Sequence, residues 1–256
     1  MKLHFIKTNI SVIQKICLAG LFIALVTVLQ KVVAINYLAF APFVRISLGG
    51  PALIIFASVF LGPVYGMIIG IASDLLGYLV FDASGYPPFL QITAIYALLG
   101  FVSYFVFSLI FSIKNRKILA IIEIIVMALI WAMIVAFTLT KSEIFGSSFE
   151  LGTIGKALVC SISGVIFLAI ILLSILDKPK DKSVLASPLH ICFASFICDF
   201  FVLLLFGSLM KAWAFGFGTF LTILVCQAFV LFFNVFLDTF FISTFLRFTR
   251  KYFVEE

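Results

Sequence analysis

Charge is scarce in this sequence: 17 Lys and Arg and 11 Asp and Glu are spread over 256 residues, of which 64% are hydrophobic. Soluble globular domains carry about 25% charged residues, because charge is much of what covers their surface. At 11% charged and a mean hydropathy of +1.32, this chain has no such cover. That excludes a soluble fold and leaves an integral membrane protein. Histidine is scarcer still. His4 and His190 are the two present, so an HExxH helix or a facial metal triad is not available. The five cysteines, Cys17, Cys160, Cys192, Cys198 and Cys226, fall inside apolar runs without C-x-x-C spacing. They read as packing residues, neither a zinc site nor a disulfide framework. Gly155-Lys156-Ala157 lacks the leading glycine and following hydroxyl of a phosphate loop, and Gly216-Phe217-Gly218 lacks the third glycine of a dinucleotide fingerprint. No nucleophile stands beside a base at helical spacing. The expectation is a non-catalytic protein with no metal, no cofactor and no nucleic-acid partner.

What the sequence has is apolar runs. A hydrocarbon core about 30 Å thick takes about 20 helical residues, and runs of that size cover 12–34, 89–113, 118–139, 154–176, 184–209 and 218–245. Between Arg45 and Asp82 another apolar stretch breaks at Gly62-Pro63, which predicts two helices, the first one short. The fold class is therefore an all-α integral membrane bundle of about eight transmembrane helices in one domain, 1–256. An even count returns both termini to one side. With the termini inside, Lys2, Lys7, Lys15, Lys114, Arg116, Lys117, Lys178, Lys180, Lys182, Arg247, Arg250 and Lys251 are cytoplasmic, twelve of the 17 basic residues. The positive-inside rule favours that orientation, and the formal net charge of +6 becomes loop topology and contact with anionic lipid.

Ionisable groups within or beside the spans are few, and each is expensive in hydrocarbon, about 2.5–3.5 kcal/mol at mid-bilayer on insertion scales. Glu123 lies close enough to Lys114, Arg116 and Lys117 to pair with them, and Asp238 approaches Arg247. Asp74 stands in the outer half of its helix, without a base adjacent in sequence, and Arg45 at the outer start of the short helix is placed to meet it. An ion pair and a polar pocket open to the outside are both compatible with Arg45 and Asp74. Gly62, Gly66, Gly70 and Gly77 put small residues along the Asp74 helix, and Gly20 and Ala24 do so in the first span, as faces for close helix packing or for a partner.

The region from about Ala19 to Phe111 resembles a known family. In order it reads Val28-Leu29-Gln30-Lys31, Arg45-Ile46-Ser47, Gly62-Pro63-Val64-Tyr65-Gly66, Ser73-Asp74-Leu75-Leu76-Gly77, Tyr86-Pro87-Pro88-Phe89 and Thr93-Ala94. The series is similar to the substrate-binding S component of energy-coupling factor (ECF) vitamin transporters, most closely the folate-type branch. The resemblance implies a six-helix core, with 12–113 as its best-matching half, 118–176 as an extra helix pair and 184–246 as its last two helices. It implies a bound folate-like vitamin contacted by Arg45, Ser47, Asp74 and a gate loop at Tyr86 and Phe89. Tyr65, Tyr78 and Trp213 are further candidates to stack on the ring, and Asp199 stands where the family's polar pair is missing. Partner contacts fall to Gly20, Ala24, Gly66 and Gly70. The implied partners are a transmembrane coupling subunit and two cytoplasmic ATPases, in a bacterial cell membrane. The rival readings are an ion-coupled secondary transporter using Asp74, Glu123, Asp199 and Asp238, which lacks visible inverted repeats, and a membrane enzyme or assembly factor.

Overall fold

The computed structural model describes residues 9–33, 49–81, 89–113, 115–140, 153–176, 187–216, 220–249 and 252, and these are helical with short connections. Arg45, Ser47 and Tyr86 lie outside the described residues. The helices are α1 (Val12–Lys31), α2 (Gly50–Leu61), α3 (Pro63–Phe81), α4 (Leu90–Phe111), α5 (Arg116–Thr140), α6 (Thr153–Leu176), α7 (Pro188–Cys198), α8 (Gly207–Phe215) and α9 (Phe220–Thr249). A π-helical segment, Asp199–Phe206, joins α7 to α8 without a break, so the rod they form counts as one crossing. Among the described residues these make eight rods, as the apolar runs predict. Six of them are long and apolar enough to cross a membrane, whereas Gly50–Leu61 and the apolar part of α6, Cys160–Leu172, are shorter.

The short helix is the centre of the bundle. All twelve residues of α2 are buried, because the segment is apolar on every side and has no face to give to solvent. At about 18 Å it falls short of the hydrocarbon thickness, and α1, α3, α4 and α9 enclose it. Phe56 anchors it, with ring centroids 5.7 Å from Phe22, 5.5 Å from Phe60 and 5.2 Å from Phe245. One residue, Gly62 at φ 111°, turns the chain from α2 into α3, a left-handed backbone angle that favours glycine.

Two apolar cores divide the molecule. One joins α1–α4 to α7 and α9. The other seats the α5–α6 hairpin on α7, the π segment and α9 through Met127, Ile130, Ile134, Ile170, Phe196 and Phe232. Trp131 pins the hairpin itself, stacking on Phe167 at 5.9 Å and donating from Nε1 to Ser163 Oγ at 3.3 Å.

Both chain ends meet at one face of the bundle. The Asn9 N–H donates to the Tyr252 carbonyl at 2.9 Å, and the Tyr252 ring packs on Phe60 near the α2–α3 turn. At this end too, Ser11 and Gln14 close a capping box on α1. His190 lies between Ser187 Oγ and the Ile113 carbonyl, at 3.1 and 2.9 Å. The end of α1, the second half of α3 and the start of α4 lie toward the opposite face.

Candidate functional site

Gly66, Gly70 and Asp74 follow one another at intervals of four on α3 and project to one side. That side meets α4 with no side chain between. A Cβ on Gly66 would stand 2.5 Å from the Gly100 carbonyl oxygen and 2.5 Å from Ser58 Cβ, one on Gly70 would strike the Tyr96 carbonyl, and one on Gly100 would strike the Gly66 carbonyl. Small residues thus let the two backbones touch. One turn further along the same seam, Thr93 Oγ1 donates to Asp74 Oδ2 at 2.7 Å. Of the two readings of Gly66 and Gly70, a face for close helix packing and a contact for a partner subunit, the α3–α4 crossing takes the first.

Parallel to α3 runs α1. Thr27 Oγ1 donates to the Ser73 carbonyl at 3.2 Å as well as to the Ile23 carbonyl in its own helix at 2.7 Å. One turn beyond, the Lys31 side chain lies across Gly77, where a Cβ would stand 2.5 Å from Lys31 Cε and 2.8 Å from Cγ. This brings Lys31 Nζ to 3.9 Å from Asp74 Oδ1, with the two side chains 13% and 11% exposed. The described base beside Asp74 is therefore Lys31, which in the sequence stands only as the end of the Val28-Leu29-Gln30-Lys31 motif. Thr93 was missed as well, although the Gly-x3-Gly-x3-Asp spacing opposite Gly100 could have found it. Both Asp74 oxygens face a described neighbour, and Lys31 and Asp74 cancel in charge.

The other expected residues divide by position. Tyr78 is half-buried one turn beyond Asp74, and Phe89 is exposed one turn before Thr93. Both flank the Lys31–Asp74–Thr93 group. Tyr65 lies nine residues before Asp74, about 14 Å along the helix, packed on the core near the α2–α3 turn. Trp213 is 60% exposed, in keeping with an interfacial belt position. On α1, Gly20 and Ala24 face outward, with open space beyond Gly20.

Asp199 does not join Asp74. It is fully buried on the far side of α4, and its carboxyl group faces that of Asp238 on α9. The expected pairing of Asp238 with Arg247 is replaced by this contact: Asp238 is 1% exposed, and Arg247 is on the outside of the helix. Glu123 of α5, also fully buried, lies beside Cys192 of α7, which in turn neighbours Thr239 of α9. The side chains of Lys114, Arg116 and Lys117, its expected partners, lie outside the described ones. Cys198 neighbours Asp199 and Ser103. Among the described residues, the buried acids therefore fall into two groups, one at the end of α1, the second half of α3 and the start of α4, the other between α5, α7, the π segment and α9. Among the described residues, no set of three His, Cys, Asp or Glu is arranged to hold a metal ion.

No curated protein and no solved structure matches the chain. Residues 10–180 match the family described as ECF-type riboflavin transporter, S component. The match names the riboflavin family and lends no support to the folate-type branch. It includes the α5–α6 hairpin and stops before α7. With more than half of its length matched and a helical membrane bundle around a polar end site, the chain belongs to the S components of ECF-type transporters, the non-catalytic, vitamin-binding membrane subunits of those importers.

Proposed function

We propose that this S component captures riboflavin or a closely related flavin at the end of α1, α3 and α4, on the outer side of a bacterial membrane, with both termini cytoplasmic. A transmembrane coupling subunit and two ATPases then drive release of the vitamin to the inside. The family match supports the class of ligand. The observation that carries the choice of a flavin over a folate is the Lys31–Asp74 pair. Its charges cancel, so the described part of the site offers no net positive charge to the two carboxylates of a folate tail. It does suit a neutral ring with a polyol chain, whose hydroxyls can donate to Asp74 and accept from Lys31. Tyr78 and Phe89 flank the pair and supply aromatic surface for a flat ring. The exposed small-residue face of α1 at Gly20 and Ala24 is left to the coupling subunit.

Titration of the purified, ligand-stripped chain with riboflavin tests this directly, because flavin fluorescence is quenched on binding to a protein. Saturable quenching that excess folate does not compete supports the reading. Tight folate binding with no flavin binding overturns it. In cells, uptake that persists in the presence of a protonophore at constant ATP and stops without the ATPases separates this mechanism from ion-coupled transport. Single cysteines introduced at Asn9 and Gly216, in a background lacking the native five, report the orientation by their labelling from outside: only the second is expected to react.

A further inference from the structure

We propose that Gln30 is a ligand-binding residue, whose carboxamide pairs with the N–H and adjacent carbonyl on the edge of the vitamin ring. The inference rests on the reading above, in which the ring binds at the end of α1, α3 and α4. Gln30 is 2% exposed, and among the described residues neither its Oε1 nor its Nε2 has a hydrogen-bond partner. A buried amide without partners costs free energy that an apolar side chain of the same size would not. Such a group is uncommon in a folded protein and calls for an explanation.

Its position gives one. Thr27, one turn earlier on the same face of α1, is bonded to the Ser73 carbonyl of α3, and Lys31, the next residue, reaches Asp74. Gln30 thus stands on the buried face of α1 at the level of the Lys31–Asp74 pair. The acid and the amide at this end are not equivalent. Asp74 has Oδ2 engaged by Thr93 and Oδ1 facing Lys31, and a carboxylate is an acceptor only. It would repel the two carbonyls that flank the ring N–H of a flavin. A carboxamide accepts from that N–H through Oε1 and donates to a neighbouring carbonyl through Nε2, forming two bonds in one plane. Among the described residues, neither of these Gln30 atoms is engaged. The division of labour is then clear: Gln30 reads the imide edge, and the Lys31–Asp74 pair is left to the polyol.

The test is fluorescence titration of the purified full chain with riboflavin and with 3-methylriboflavin, which lacks the ring N–H. Gln30→Leu is expected to raise the riboflavin Kd roughly 10- to 100-fold. Methylation is expected to weaken binding to the wild type by a similar factor and to have no further effect on the Gln30→Leu variant, because both changes remove the same contact. The ligand-free variant should melt no lower than the wild type, since it loses a buried amide that had no partner. Riboflavin binding within twofold of wild type in Gln30→Leu, or independent losses that multiply, overturns the proposal. Should Gln30→Leu not fold, Gln30→Glu keeps the size and loses the donor. Binding at least tenfold weaker supports the proposal, and wild-type affinity overturns it. If the wild type takes folate and no flavin, the choice of vitamin fails and the same variants are titrated with folate, whose ring also sets an N–H beside a carbonyl: a Kd raised at least tenfold in Gln30→Leu supports the proposal, and wild-type affinity overturns it. If the wild type binds neither, both readings fall.

Discussion

The Lys31 ammonium group stands 3.9 Å from the Asp74 carboxylate, joining the last residue of α1 to the middle of α3 across a glycine. Neither side chain is more than 13% exposed, so the attraction between them is little screened by water. Removing one takes from the other the described charge that faces it in a part-buried place. Lys31→Met and Asp74→Asn are each expected to weaken riboflavin binding by tenfold or more. The double variant should lose much less than the product of the two, because the residues act as a pair. Calorimetric titration of the three variants measures this. Additive losses would show two independent contacts.

Gly77 is expected to matter through Lys31. The three atoms nearest a Cβ there all belong to the flexible Lys31 stem, so Gly77→Ala should leave the thermal midpoint within a few degrees while displacing Nζ from Asp74. The expected result is a fold kept and an affinity lowered. A variant that binds as the wild type does would show that the ammonium is not needed at that place.

Gly70 behaves differently, since its added Cβ would meet the Tyr96 backbone, which has no room to yield. Gly70→Ala should destabilise the bundle by about 1–3 kcal/mol, the usual range for overpacking. The melting temperature in detergent reads it. Gly20→Ala, facing open space, should leave that temperature unchanged. Gly20→Leu should also fold and bind vitamin but support less uptake, if the coupling subunit docks there.

Asp199 is separated from Asp74 by α4 and faces Asp238. Asp238→Asn, which replaces a contact between two acids by one between an acid and an amide, should keep the fold and leave vitamin affinity within twofold. Asp199→Leu should keep affinity as well. A tenfold loss in either would place the α7–α9 group in the binding site. Trp131→Phe, which gives up the bond to Ser163, is expected to cost about 1 kcal/mol of stability, again without changing affinity.

How much of this was legible beforehand varies element by element. The α2–α3 break could be read from Gly62-Pro63, because proline and a left-handed glycine act on the local backbone. That α2 would be enclosed on every side was not, since an apolar run looks the same whether lipid or protein covers it. Asp74 stood out by its cost in hydrocarbon. Its partners did not, because Lys31 and Thr93 lie 43 residues before it and 19 after it, brought in by packing between helices. The glycine stripe was visible as small residues, yet its use inside the α3–α4 seam was a matter of which helix met that face.

By itself, the sequence determined the bilayer as solvent, the set of helices, the shared side of the two termini and the class of importer subunit. The first three follow from composition, length and local backbone chemistry, which need no knowledge of neighbours, and the fourth was legible in the resemblance of the 19–111 series to a known family. Only the tertiary structure decided which of the few ionisable groups meet: Lys31 with Asp74, Asp199 with Asp238, Glu123 beside Cys192. A charge in hydrocarbon must find a partner, but nothing local to the chain says which one, because that choice is made by the contacts between helices far apart in sequence.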